Sequence, residues 1–502
     1  MMQGLYIGAT GLKTHGDGMQ VVGHNIANVN TVAFKQQQWL FQDLMYQQVV
    51  TGSSANVVEN SKGMGARMAD IRTLHTEGAF EPGNAMTDLA ITGKGFFQVR
   101  KAKGDPYYTR AGNFRFDAAG VLRNPQGLAL SGIRIQNGVE VGGLTEISLD
   151  MKSASVTKDP PKGTSSITAQ MNLNVQDSVQ DAANPFFSLL SAWNGAATIP
   201  EPSGTGYSQA LKYYDSNGTV RALTVHFDQA EKANGQTVLE YIVTIPPALD
   251  GRANAQDANG PVAGAGLLMS GTMTFSGSGE LLNMSAYTPG AGDLKDLSNW
   301  TPAPLQNGLP VVAISQAGLP VQTIALNFGA QGANGWTGTG SAADVGVSKD
   351  KLPGLTSPAF DTTKTSIWPE ASALGNFKQD GYPVGELSDV YVDASGYMHA
   401  EYSNGQSHAL YRIPIFNFTS EDGLRREGNN LFLATSEAGE TWEGVAGTEN
   451  FGEIQGNFLE ASNVELSKEM VSMIIMQRGF QSNSKVITTW DTMIQKAIEL
   501  KR

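Results

Sequence analysis

The chain has 502 residues, 40% of them hydrophobic and 16% charged, with 58 glycines, no cysteine and a net charge of −13. That composition suits a soluble, loop-rich and largely β protein of several domains. Without cysteine there are no disulfides, thiolate nucleophiles or cysteine-bearing metal sites, and the acidic balance argues against nucleic acid, which needs a basic footprint.

The charge is unevenly spread. Residues 1–30 carry only Lys13 and Asp17, and residues 464–502 are net +2, so the surplus of −15 lies in the middle. An acidic body with nearly neutral ends keeps an outer surface soluble while the ends stay free to pack.

The N-terminal stretch places Leu5, Leu12, Met19 and Ile26 at seven-residue steps, with Val22 and Val29 three positions after the last two. This spacing predicts a helix with a heptad seam. Gly8, Gly11, Gly16, Gly18 and Gly23 interrupt it, each costing about 0.8–1 kcal/mol against alanine, so the helix needs a partner to form. The opening residues lack the basic start and apolar run of a secretory signal, and no run approaches the roughly 18 apolar residues of a membrane span. By itself this reads as a cytoplasmic chain without membrane insertion.

Residues 89–135 then read as short antiparallel strands, among them Phe96–Val99, Tyr107–Thr109 and Phe114–Phe116, separated by turns at Asp117–Gly120 and Asn124–Gly127. Residues 387–418 do likewise, with a hairpin signal at Asn404-Gly405. The centre, about 147–373, holds further strand patterns such as Ala222–Phe227 and Thr237–Ile245, and its Gly/Ala/Asn-rich stretches 251–266 and 329–346 read as surface loops or linkers.

The C-terminal stretch repeats the seven-residue step with Leu466, Met473, Phe480, Ile487 and Ile494, with Met476 and Trp490 on the neighbouring row and Asn483 interrupting it. It contains no proline and only Gly479, so a helix on the order of 50 Å can run there. Ser462 or Asn463 is the expected cap, with Glu465 in the first turn. Half-seams at both chain ends suggest one joint element, supercoiled to the left by the seven-residue repeat.

No catalytic pattern accompanies these elements. The six histidines form neither H-E-x-x-H nor any i, i+4 pair. Gly93-Lys94-Gly95 lacks the glycine before and the Ser/Thr after that a phosphate loop requires, and reads as a turn; no nucleophile elbow or dinucleotide fingerprint occurs. Neither a cofactor nor a metal is expected, and the chain reads as no enzyme. A secreted β-rich glycan-binding or hydrolytic protein is the competing class, since acidic pairs such as Glu421-Asp422 occur.

The string His24-Asn25-Ile26-Ala27-Asn28-Val29-Asn30-Thr31-Val32-Ala33-Phe34-Lys35 resembles the signature after the N-terminal helix of bacterial flagellar rod and hook proteins. Its asparagines offer amides to backbone groups freed at a helix end, and Ile26, Val29 and Phe34 anchor the exit. Gly456–Val464, Glu469–Arg478, Phe480–Ile487, Leu89–Phe97, Tyr108–Phe114 and Gln379–Pro383 are similar to the same family, in its order. The long inserted middle points to the hook members; a distal rod subunit is the nearer alternative.

The resemblance implies a multidomain fold: an α-helical coiled-coil terminal domain from both chain ends (1–30 with 464–502), a connecting segment (31–70), a middle β domain (71–146 with 374–463) and one or two outer β domains (147–373), all nested. It implies a homopolymeric, bendable tube that carries torque as a universal joint. Its implied partners are rod, hook-cap and hook–filament junction proteins and the flagellar type III export apparatus. It also replaces the cytoplasmic reading with an extracellular location. Leu5, Leu12, Met19, Val22, Ile26, Val29, Leu466, Met473, Met476, Phe480, Ile487, Trp490 and Ile494 are the expected self-assembly core.

Overall fold

The computed structural model describes the chain except for residues 1, 46, 52–57, 102–103, 151–152, 175–183, 201, 203–204, 234, 334, 339, 449 and 501–502. It divides into two compact units, one of residues 1–157 with 387–502 and one of residues 158–386.

In the first unit the helix Met2–Ala27 lies antiparallel along the helix Leu466–Glu499. The stretch 31–70, expected only to connect, folds as a two-stranded ribbon: Gln37–Asp43 pairs with Ala66–Thr73, and beyond it Gln47–Thr51 pairs with Val58–Lys62. A lone ribbon is marginal in water, and here the N-terminal helix supports it. The buried Thr14 hydroxyl donates to Ala66 O at 3.0 Å, and the Phe41 ring meets the edge of His15.

The strands of this unit's main sheet run in the spatial order Gly385–Val392, Tyr397–Tyr402, Ser407–Arg412, Ala129–Gln136, Phe97–Arg100, Tyr107–Thr109, Leu431–Ala434 and Leu424–Gly428. Asn404-Gly405 does turn the hairpin, with Gly405 at φ +77°. Leu89, Phe97, Phe114, Leu122, Leu130, Ile413 and Ile454 fill its core. A second cluster is aromatic: Phe96, Tyr108, Phe416, Phe418 and Phe432 meet edge to face, Tyr108 and Phe418 with centroids 4.7 Å apart.

The second unit is a sandwich. One antiparallel sheet holds Tyr207–Tyr214, Val220–Ala233, Gln236–Thr244 and Leu267–Phe275 in sequence order, extended by Tyr287–Pro289 and Trp300–Pro302. The other runs Leu305–Gln306, Leu309–Ile314, Gln322–Asn327, Ser166–Asn172 and Ala373–Gln379, with one parallel pair between Ser166–Asn172 and Gln322–Asn327. Phe227, Leu239, Tyr241, Val243 and Met273 meet Ile167, Met171, Val312, Ile324 and Leu326 between them. The alternate residues Val238 and Ile242 face the other way and are covered by Phe187, Leu190 and Trp193 around the short helix Ser188–Ala192. The stretch 251–266 is more than a surface loop, because Ala255 and Ala265 are fully buried with Leu294. Small side chains let the backbone fold onto the body there.

Candidate assembly site

The contact between the two terminal helices is made by the glycines. Gly4, Gly8, Gly11, His15, Gly18, Val22 and Asn25 are spaced four and three residues apart in turn, and so lie along one line of the N-terminal helix. A methyl group on Gly8 would come within 2.9 Å of Ile487, and one on Gly11 within 2.6 Å of Asn483. On Gly4 it would run into the Trp490 ring, and on Gly18 it would stand 3.1 Å from Met476 Sδ. Gly479 returns the favour across the seam, leaving room for the His15 ring. Bare backbone on one helix receives large side chains from the other, so the glycines that weaken this helix in isolation are what let its partner approach.

Among the residues expected to form the core, Val22 and Met476 are buried, and Met473, Phe480, Ile487, Trp490 and Ile494 are half-buried on the line that covers the glycines. Asn483 occupies a place in this line above Gly11 and donates to Gly479 O at 2.9 Å. Leu5, Leu12, Met19 and Ile26 stand half-buried beside the glycine line, and Val29 is half-buried in the turn beyond the helix. Leu466, at the first turn of its helix, is 46% exposed.

Where the N-terminal helix ends, Asn25 takes over the role of the lost helical bonds. Its Oδ1 accepts from Gln37 N at 2.9 Å, and its Nδ2 donates to Gln37 O at 2.8 Å and to Glu469 Oε1 at 3.2 Å. Asn28 Nδ2 donates to His24 O, and Asn28 Oδ1 accepts from Thr31. Ala27 and Asn30 are exposed. Phe34 is buried, with the Arg426 guanidinium 5.3 Å over its ring. Neither Ser462 nor Asn463 caps the C-terminal helix; Glu465 holds the cap position without a side-chain bond. Asn463 is used elsewhere, accepting from Gln36 N at 2.7 Å and donating to Leu74 O and Thr76 O.

Beneath this junction lies a charge cluster. Glu460, fully buried, accepts from Lys35 Nζ at 2.6 Å, Arg110 Nε at 2.9 Å and Gly78 N at 3.0 Å. Lys35 also donates to Thr76 O, and Arg110 to the carbonyls of Ile91, Gly93 and Gly95. Burial works to raise the Glu460 carboxyl, but Arg110 and Lys35 outweigh it and hold the group below the usual carboxylate range. Burial and then Arg110 lower the Lys35 ammonium from its ordinary value. Three separate motif strings, ending at Lys35, around Arg110 and around Glu460, thus meet at one carboxylate. Arg110, Glu460 and Glu469 were not singled out from the sequence, although a charged residue inside an otherwise apolar motif was the available signal.

Among the described residues no group of three or more His, Asp or Glu is placed to hold a metal ion, and no helix is long and apolar enough to cross a membrane.

Comparison with known proteins bears on the same segments. The family model described as Flagellar basal body rod FlgEFG protein C-terminal matches residues 455–500, that of the Flagellar hook protein FlgE/F/G D1 domain residues 90–160, and that of the Flagellar basal body protein FlaE D2 domain residues 188–382. Flagellar hook protein FlgE of Borreliella burgdorferi is 30% identical over 100% of both chains. The chain belongs to the flagellar hook protein family. The hook protein of Treponema pallidum is 29% identical over 100% of both chains, and that of Salmonella typhimurium 26% identical over 98% of each. Hook proteins match from end to end, inserted middle included, which favours the hook over the rod. The chain is a structural subunit of the flagellar hook, from a family of structural proteins and not of enzymes.

Proposed function

We propose that copies of this chain assemble through their terminal helices into a hollow, bendable tube that passes torque from the rod to the filament. The observation that carries this reading is an apolar stripe on the outward side of the C-terminal helix. Met470, Val471, Ile474 and Ile475 are each 48–57% exposed there, while the inward side already covers the N-terminal helix. An amphipathic helix that is apolar on two sides requires two partners, and in a homopolymer the second is a neighbouring copy. The four-and-three spacing of both helix lines supports a left-handed supercoil in the assembled tube.

In this reading residues 1–30 and 464–502 form the inner wall, 31–70 connect, 71–146 with 374–463 form a middle domain, and 147–373 lie outermost. The acidic middle suits the outer position. Rod, cap and junction proteins are the partners at the tube's ends, and the type III apparatus exports the chain to its extracellular place in the flagellum without a cleaved signal. Ordering of the helices is offset by burial at about 25 cal/mol per Å², so folding of the ends and polymerisation become one event.

The test is polymerisation of two variants. Ile474→Asp places a charge on the outward stripe, and Phe480→Asp places one in the seam; a carboxylate on a dry contact is costly. Both are expected to keep the β domains folded, by circular dichroism, and to form no tube. Tubes of normal length and number from either variant would refute the assignment of that face.

A further inference from the structure

In the unit 158–386 the paired strands Val220–Ala233 and Gln236–Thr244 set Asp228 directly opposite Glu240, with side chains 0% and 1% exposed. Like charges so opposed repel, and an ionised carboxylate out of water is costly. Burial first, and then the Asp228 charge, push the Glu240 carboxyl well above its ordinary range. The cheapest relief for two buried carboxyls side by side is a single proton held between them.

The pair lies under the segment that covers this face of the sheet. Leu189 N donates to Glu240 Oε2 at 3.1 Å at the start of the short helix Ser188–Ala192. At the other end the Lys295 ammonium donates to Leu190 O at 2.6 Å, to Ser191 O at 2.9 Å and to Trp193 O. Between these two grips Phe187, Leu190 and Trp193 sit on Val238, Ile242 and Leu267.

We propose that Asp228 and Glu240 share one proton and that this proton latches the segment from Phe186 to Trp193 onto the sheet, the segment lifting when rising pH removes it. With the proton in place one carboxyl donates to the other carboxylate, and the pair carries a single negative charge. Without it two charges face each other in a dry contact, and the movement that admits water to them is release of the covering segment.

Other titratable groups face the same region. His226, next along the strand, bonds Thr244 and stands by Trp193; burial lowers it to about 4, so it is already neutral in the alkaline range. Burial lowers Lys295 to about 8, against the pull of Asp293. Asp344 acts on Tyr287, whose ring meets Phe187. From Leu267–Phe275 come only the hydroxyls of Ser270 and Thr272.

Hydrogen exchange of the full chain, followed by mass spectrometry from mildly acidic to alkaline pH with the intrinsic rate divided out, tests the latch. The expected result is that protection of the Leu189, Ser191 and Trp193 amides falls by up to about tenfold per pH unit from the ordinary carboxylate range upward, where opening releases the proton, and levels off once the closed pair has itself ionised, while the two strands keep theirs. Glu240→Gln, a neutral isostere, should hold protection flat, and Asp228→Asn should do the same if the first variant folds poorly. Protection that stays flat in the natural chain would overturn the proposal, as would an equal fall in both variants, which would assign the opening to Lys295.

Discussion

Lys35 and Glu460 lie 425 positions apart in the chain and 2.6 Å apart in space, both shut away from water. Breaking a buried ion pair by removing one partner strands the other charge and costs about 3–5 kcal/mol. Glu460→Gln is therefore expected to destabilise the unit of residues 1–157 and 387–502 by that amount, because Lys35 and Arg110 then face no anion. Lys35→Met should cost less, since Arg110 still answers Glu460. Urea titration, with the transitions of the two units resolved, measures both.

The glycine line makes opposite predictions for a methyl group at different positions. Gly8→Ala and Gly11→Ala force the helices apart against Ile487 and Asn483, and should slow or abolish tube formation. Gly23 has nothing within 4 Å of the same methyl, and alanine there should add roughly 0.5–1 kcal/mol of helix stability and leave assembly intact. Polymerisation rates of the three variants, followed by light scattering, distinguish contact from propensity.

Acid should destabilise both units through histidine. His75, beside the Phe96 and Phe432 rings, is lowered to about 4 by burial and then by the nearby Lys35 charge, and His226 is lowered to about 4 by burial. Unfolded histidine titrates near 6.5, so between about 6.5 and 4 the unfolded chain binds more protons than the folded one, and stability rises with pH through that window. Above it these groups contribute no slope. Each accounts for about 3 kcal/mol lost on full acidification, and His75→Gln should flatten the dependence in the first unit only. Denaturant melts at stepped pH read this directly.

The monomer itself offers a further check. With the outward stripe of the C-terminal helix left uncovered, amides of Met2–Ala27 and Leu466–Glu499 should exchange rapidly in dilute chain and slowly in tubes. Strong protection in the monomer would contradict ordering on assembly.

Much of this fold could be read from residue pattern. The C-terminal heptad line from Met473 to Ile494 falls on the covered side of its helix because large apolar residues at a helical period have one way to be buried. The N-terminal line was legible only in part: a search for apolar residues finds Leu5 and Leu12, whereas the contact is made by glycines, whose contribution is the absence of a side chain and whose meaning depends on what faces them. Asn463 looked like a cap because helix caps are local; its true partners, Gln36, Leu74 and Thr76, are remote in sequence. Glu460 was hidden for the same reason, since nothing near it in the chain announces the two cations it holds.

The bare face of the N-terminal helix has a consequence for quality control. The glycine line of the N-terminal helix is covered by the last helix of the chain, residue against residue, from Gly18 under Met476 to Gly4 under Trp490. A chain cut short of these final turns leaves Gly4, Gly8 and Gly11 without the Trp490, Ile487 and Asn483 side chains that lie over them, so an incomplete subunit lacks the seam from which assembly is proposed to start.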